Sequence, residues 1–407
     1  MPKVECKTRG GGSHKKFVLL LLGIAVGLLF LSIVLISVTR EPNDLDKVPL
    51  YEEVYGTSKP LRSAINGIDK VIFSALYSSG ISQKDVHFIS VEPRQEKGEI
   101  WELTKVLVKC DGVEKVQRVK REIVKGIKSR LGSWVHIKQV QANPMVVVIS
   151  IKGRITHELT FALEPDTTTR PKSKPKVALI IDDMGYAHRL AHRFMALGNN
   201  ITLSILPGAP FTRTIALEAR ERGCEVMLHL PLEPKGYPGV NPGPGCLFTN
   251  MGREEMARTL DSDLSQVPGA DGINNHMGSL FTEDEEAMRA LLCELKSRDL
   301  FFIDSRTTPM SKGYDMARAM GIQAAKRNVF IDNNLDKLSI ETQLSKLLSM
   351  ASRTGWAIGI GHPHEQTVEA LEEFLHEKSC LFELVPVSRI LKEMTGAECE
   401  ETVRTGG

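Results

Sequence analysis

Val177–Gly185 reads VALIIDDMG, and the interpretation of the rest of the chain follows from it. Five consecutive apolar residues with no alternation predict a short strand buried on both faces, as in a parallel sheet covered by helices on both sides. Two adjacent carboxylates and a glycine end the run. The alternation then repeats. Strands are predicted at Ile201–Ile205, Val226–Leu228, Gly272–Ile273, Phe301–Ile303, Trp356–Ile360 and Phe382–Val385. Between them, helical spacing marks Ala187–Leu197, Arg213–Arg222, Arg253–Leu264, Asp284–Arg298, Leu338–Arg353 and Gln366–His376. Repeated βα units define the α/β class, and seven or so of them predict a closed or nearly closed barrel rather than an open sheet. A ligand site is expected at the carboxyl ends of the strands.

Those ends carry a consistent set of residue types. Asp182-Asp183 follows the first strand, His229 the third, Asn274-Asn275-His276 the fourth and Asp304-Ser305-Arg306 the fifth. Asp332 follows an apolar run at Val329–Ile331, and His362-Pro363-His364 follows the Trp356 strand. A single Asp after a strand is commonly a helix cap, but His caps poorly and three strands end in it. One carboxylate with neutral imidazoles is a ligand set for Zn²⁺ or a related divalent ion. Asp183, His229 and His276 come from three separate strands and would leave a coordination position open. Asp182 then stands as general base and His362 as proton donor to a leaving group. Together they form a kit for hydrolysing an amide or ester.

Upstream, Phe17–Val38 is an uncharged apolar run. About 20 apolar residues suffice for a membrane-spanning helix. Lys3, Lys7, Arg9, Lys15 and Lys16 precede it, so residues 1–16 are expected to stay in the cytoplasm while the bulk is exported from a single inner-membrane span. The run is longer than the apolar region of a cleaved signal peptide and lacks a clear small-x-small site. Residues 39–60 read as a polar, proline-bearing stalk. Residues 61–163 read as a small α+β domain, with helices at Leu61–Ser79 and Val113–Leu131 and five strands. The second helix bears Lys115, Arg118, Lys120, Arg121, Lys125, Lys128 and Arg130 on a face expected to be solvated. Residues 164–176 (EPDTTTRPKSKPK) form a linker, 177–391 the barrel, and 392–407 a disordered tail. Across 407 residues the formal net charge is +2, which gives no bulk attraction to nucleic acid. Seven scattered cysteines without a C-x-x-C pair argue against a disulfide framework or a zinc ribbon.

The strings IIDDMG, EVMLHLPLEP, GINNHMGS, FFIDSRT and IGIGHPH resemble those of the divergent polysaccharide deacetylase family, over about Lys176–Leu391. The resemblance implies a distorted (β/α)7–8 barrel of the polysaccharide deacetylase type using a divalent metal, with Asp182 as base and Asp183 as ligand. It also implies a His-x-x-x-His ligand pair. His229 fits the first place, but Glu233 stands in the second. The metal set is therefore expected to be Asp183 and His229 with His276, in preference to Glu233. Glu233 and Asp304 are then candidates to orient a ligand histidine from outside the coordination sphere.

Two functions remain in view. One is a membrane-anchored, metal-dependent hydrolase that removes acetyl groups from an N- or O-acetylated envelope glycan. The other is a non-catalytic envelope protein that uses the same barrel to bind glycan or a partner of the cell-wall or division machinery. A metal phosphoesterase is weaker, since only Arg306 and Arg327 would meet phosphate. His188 and His192 have the i,i+4 spacing of a helical metal pair, but no third partner is evident in sequence, so both are expected to be solvent-exposed. The loop Gly236–Gly245 (GYPGVNPGPG) sits beside the expected site, either covering substrate or as a plain surface loop.

Overall fold

The computed structural model describes residues 59–82, 85–142, 144–163 and 174–394. The expected tail, membrane span, most of the stalk, most of the linker and residues 395–407 lie outside the described residues. Among those described, no helix is long and apolar enough to cross a membrane.

The first part pairs two helices with a five-stranded sheet. Helix α1 spans Lys59–Ser78 and α2 spans Val113–Arg130. The strands are β1 (Val86–Glu96), β2 (Glu99–Lys109), β3 (Val135–Ala142), β4 (Met145–Ile151) and β5 (Arg154–Ala162), in the order β1-β2-β5-β4-β3. Met145, Val147, Ile149 and Ile151 alternate with less buried residues along β4, the period-2 signature of a half-covered sheet. Two hairpins use the same turn chemistry. Lys97-Gly98 and Lys152-Gly153 all have φ between 48° and 86°, as the two-residue turns that match strand twist require. The apolar stripe of α2 buries Val116, Val119, Ile123 and Ile127.

The second part is the parallel sheet. Its elements are β6 (Lys176–Met184), α3 (His188–Ala196), β7 (Thr202–Ile205), α4 (Thr212–Glu221), β8 (Glu225–Leu232), α5 (Arg253–Gln266), β9 (Gly272–Met277), α6 (Glu285–Ser297) and β10 (Phe301–Asp304). They continue with α7 (Gly313–Ala319), β11 (Ala324–Lys326), β12 (Val329–Phe330), α8 (Lys337–Thr354), β13 (Trp356–Gly361), α9 (Glu365–Lys378) and β14 (Glu383–Leu384). The strand path is β11-β10-β9-β8-β7-β6-β13-β12, all parallel, with β14 pairing the start of β6. Every residue of β8 and β9 is buried, as expected for strands covered on both faces.

This path has a geometric consequence. Its two ends, β11 and β12, are separated in sequence only by Arg327 and Asn328. A span of three residues reaches at most about 11 Å, so the sheet must curl until its edges approach. Arg327 N–H donates to Asp304 of β10, and the next amide, Asn328 N–H, donates to Ile358 of β13. Those two residues bridge a seam at which β11 and β12 do not pair. The result is a curled half-barrel of parallel strands, consistent with the closed or nearly closed deacetylase-type barrel expected from the unit count.

Two differences from the sequence expectation concern element lengths. Helix α7 and strand β11 have no counterpart in the sequence pattern, because seven and three residues are too few to show a period. Strands β6, β8 and β9 also run further than expected, so Asp182, Asp183, His229, Asn274 and His276 lie within the last strand residues rather than in the loops after them.

Helix α8 joins the two parts. The Lys346 ammonium lies 3.0 Å from Asp69 Oδ2 of α1, and His157 Nε2 of β5 lies 3.2 Å from Asp69 Oδ1. All three residues are buried. Phe88 N–H donates to Ser349 Oγ, and Lys70 pairs with Asp336 at 2.8 Å. Among the described residues Cys110, Cys224, Cys246, Cys293 and Cys380 are free.

Burial alone would raise the Asp69 carboxyl, but the Lys346 charge and the His157 hydrogen bond overcome it and bring the carboxyl from 3.8 down to about 2. A depressed carboxylate contributes stability above its unfolded value of 3.8, and that contribution is lost as pH falls through about 2. Asp69→Ala leaves Lys346 buried without its main counter-charge and is expected to cost about 3–5 kcal/mol in urea unfolding at neutral pH. The double variant Asp69→Leu/Lys346→Met is expected to recover most of that loss and to unfold with a shallower acid limb between about pH 4 and 2.

Candidate metal centre

The site forms at the carboxyl ends of β6, β8 and β9, and a local irregularity in β6 makes it possible. In a regular strand Asp182 and Asp183 would point to opposite faces. Here Ile181 pairs with Leu203 and Met184 with Ile205, so β6 advances three residues while β7 advances two. The extra residue is a bulge, and Asp183 takes the left-handed conformation, φ 52°. Both carboxylates thereby turn toward one point, where His229 Nε2 lies 3.0 Å from Asp183 Oδ1 and 3.8 Å from Asp182 Oδ2. Gly185 follows at φ 137°, and a Cβ there would sit 2.7 Å from the Ala209 methyl, so glycine is needed for the chain to leave this turn.

Strand β9 supplies two inward groups by period 2. Asn274 pairs across from His229, and His276 across from Pro231. His276 Nδ1 lies 3.1 Å from Asp183 Oδ1 and 3.2 Å from His229 Nε2. The Asp183 oxygen, His229 Nε2 and His276 Nδ1 therefore form a nearly equilateral triangle of 3.0, 3.1 and 3.2 Å. Bonds of about 2.0–2.1 Å in tetrahedral geometry place neighbouring ligand atoms about 3.3 Å apart. Asp183 Oδ1 is buried and makes no well-formed hydrogen bond despite its two imidazole neighbours. A buried, unsatisfied carboxylate oxygen is costly unless a cation meets it. The residues present thus fit a divalent ion, which Asp183, His229 and His276 would hold.

Protonation supports the same arrangement. Burial raises the Asp183 carboxyl, but His276 and His229 more than reverse this and hold it well below the usual carboxylate range. Burial lowers His276 below the ordinary imidazole value, the direction that favours the neutral, ligating form. Burial pushes Asp182 the other way, above its ordinary value, against the opposing pull of His229 and His362 and with Asp183 adding to the rise. Two adjacent carboxyls are thus separated in basicity by their surroundings, as different chemical roles require.

Asn274 organises the group. Its amide nitrogen donates to both Asp182 oxygens at 2.8 Å. Its amide oxygen accepts from Ser204 Oγ and from His229 Nδ1, the latter at 2.9 Å. The proton on Nδ1 leaves the Nε2 lone pair of His229 facing Asp183. His362 is oriented in a parallel way. Its Nδ1 lies 2.8 Å from Asp332 Oδ1, while its backbone N–H and the Thr367 hydroxyl hold Asp332 Oδ2 at 2.6 and 2.7 Å. Burial raises Asp332, but the charge and hydrogen bonds of His362 outweigh it and keep the carboxyl low.

The structure assigns Glu233 and Asp304 elsewhere. Glu233 Oε2 accepts from the backbone N–H and the hydroxyl of Thr249, at 2.8 and 2.7 Å, and so braces the return of the Gly236–Gly245 loop. Asp304 accepts from Arg306 N, Ser311 Oγ and Tyr314 N and shapes the turn before α7. Asn274 orients the candidate ligand His229 and Asp332 orients the candidate proton donor His362, and the sequence signal for Asn274 is its i,i+2 relation to His276 in GINNHM.

A family model described as divergent polysaccharide deacetylase matches residues 179–391, just over half of the chain. The chain belongs to the divergent polysaccharide deacetylase family. Within the curated proteins it is 33% identical over 218 residues to "Uncharacterized protein YibQ" of Escherichia coli K12, covering 54% of this chain and 68% of that protein. It is 31% identical over 224 residues to an uncharacterized protein of Haemophilus influenzae, covering 55% of this chain and 79% of that one. A crystal structure of an uncharacterized protein of Agrobacterium tumefaciens C58 superposes with a TM-score of 0.51 at 25% identity, covering 54% of this chain and 92% of that chain. All of these matches cover little more than half of this chain, and the family match falls on the parallel sheet.

Asn274→Ala removes the anchor of His229 while leaving all three ligand side chains in place. It is expected to weaken Co²⁺ or Zn²⁺ binding at this centre about 10–100-fold in a competition titration with a chelating dye. Asp183→Ala is expected to abolish binding there.

Proposed function

We propose that this chain is a membrane-anchored envelope protein whose divergent polysaccharide deacetylase domain removes acetyl groups from an N- or O-acetylated glycan with a bound divalent metal, Zn²⁺ first among candidates. The observation that carries this reading is the buried triangle of Asp183, His229 and His276, with Asp182 beside it as a second carboxyl of raised basicity. A divalent ion held there supplies a Lewis acid for an acyl carbonyl.

The protein's own groups supply the proton transfers. Asp182, kept above the usual carboxylate range by burial, takes a proton from the attacking water. Asn274 holds both of its oxygens, so the direction of the accepting lone pair is fixed. His362, with Nδ1 tied to Asp332, offers its other ring nitrogen to the departing amine or alkoxide. Acyl–nitrogen or acyl–oxygen cleavage then gives acetate and the free amino or hydroxyl sugar. Family membership and this proton chemistry support a carbohydrate esterase or amidase. The apolar run Phe17–Val38, with its preceding lysines and arginine, supports an inner-membrane anchor with an extracytoplasmic domain.

Acetate release from acetylated glycans by the metal-loaded full chain tests the reading. Asp182→Asn is expected to lower the rate about 10²–10⁴-fold while metal stoichiometry is kept. Glycan binding without acetate release, unchanged in Asp182→Asn, would favour the non-catalytic envelope protein instead.

A further inference from the structure

Helix α3 carries His188 and His192 one turn apart, and the sequence offered no third partner for them. The fold supplies one from the next helix. Glu218 of α4 places Oε2 3.0 Å from His188 Nε2 and 2.9 Å from His192 Nε2, and the two Nε2 atoms are 3.3 Å apart. This triangle has the dimensions of the buried one formed by Asp183, His229 and His276, but it spans helices α3 and α4 instead of the strand ends and is partly open to solvent.

We propose that His188, His192 and Glu218 form a second divalent-metal site, separate from the centre at the strand ends. Three ligand atoms converge at the spacing expected of one tetrahedral face around an ion with bonds of about 2.0–2.1 Å. The site is also built in advance. The His188 ring stacks on Phe211 at 5.2 Å and 23°, and the helix fixes the spacing of the two histidines. Partial exposure leaves room for water as a further ligand. Two imidazoles and one carboxylate select a borderline ion such as Zn²⁺ or Co²⁺ over Mg²⁺ or Ca²⁺.

The local electrostatics add a competitor. Arg222 Nη2 lies 3.3 Å from His192 Nδ1. Its guanidinium N–H donates to that nitrogen, which favours the His192 tautomer protonated on Nε2 and places a positive charge beside the ion. Metal binding must turn Arg222 aside. The consequence of binding is a clip between α3 and α4. Helix α3 follows β6, whose end carries Asp182 and Asp183, so the clip would brace the helix that leaves the reactive strand. An ion that binds only the folded arrangement stabilises it.

Zn²⁺ stoichiometry on the metal-stripped full chain tests the proposal, read by elemental analysis after gel filtration, with Co²⁺ absorption as a second readout. Asp183→Ala is expected to retain one ion that Asp183→Ala/His192→Ala and Asp183→Ala/Glu218→Gln lose. Removal of one of three ligands is expected to weaken binding by more than the roughly 10–100-fold typical of an outer partner. Arg222→Ala, in the Asp183→Ala background, is expected to tighten it. The proposal is overturned if Asp183→Ala binds no ion, or if His192→Ala and Glu218→Gln leave its stoichiometry and affinity unchanged. A chain that binds only the ion removed by His192→Ala would uphold this site while contradicting the one at the strand ends.

Discussion

The Asn274 side chain is the interaction on which the rest of the site depends. Its amide nitrogen holds both oxygens of Asp182, and its amide oxygen holds His229 Nδ1. One neutral side chain thus orients the candidate base and sets the tautomer of a candidate ligand. The bulge in β6 turns Asp183 in beside Asp182, and the β8–β9 register sets Asn274 beside His229 and brings His276 to the same face. A slip of one residue in that register would exchange His276 for Asn275, whose side chain instead bonds Met277 O and Ser305 N. The chemistry is therefore set by strand pairing, which in turn is set by the buried apolar runs of β6, β8 and β9.

Holding such a set of groups in a dry interior is costly, and the sheet around it limits motion. Arg327 and Asn328 tie β10 to β13 by backbone hydrogen bonds across the seam, so the two sides of the curled sheet are held together where β11 and β12 do not pair. On the outside, α8 is clasped by the five-stranded sheet and α1 through Lys346, Asp69 and His157. Buried ion pairs contribute little net stability but penalise any arrangement that separates them. Here that penalty fixes how the upstream part seats against the curled sheet.

The sequence shows its periods and residue types clearly, and these carried the reading far. The unbroken apolar run before Asp182, repeated βα alternation, and histidines closing several strands identify a parallel α/β fold and the residues at its reactive end. What they cannot show is conformation that depends on a neighbour. The left-handed Asp183 arises only because β6 outruns β7 by one residue. Asn274 escaped notice as an organiser because asparagine after a short strand looks like turn chemistry. Glu233 and Asp304 show the converse. A carboxylate near a strand end serves a turn as readily as a ligand, and only the fold shows which amides it meets. His188 and His192 needed Glu218, 26 residues beyond the second of them, to become a cluster.

The unsatisfied Asp183 oxygen, His229 Nε2 and His276 Nδ1 are proposed to hold one divalent cation. Anomalous diffraction at the absorption edge of a soaked or co-purified metal, from crystals of the protein, tests it most directly. A peak is expected about 2.0–2.2 Å from each of these three atoms, with Glu233 still bound to Thr249. A peak coordinated by Glu233 in place of His276, or no peak in a crystal whose metal is present in solution, would contradict it.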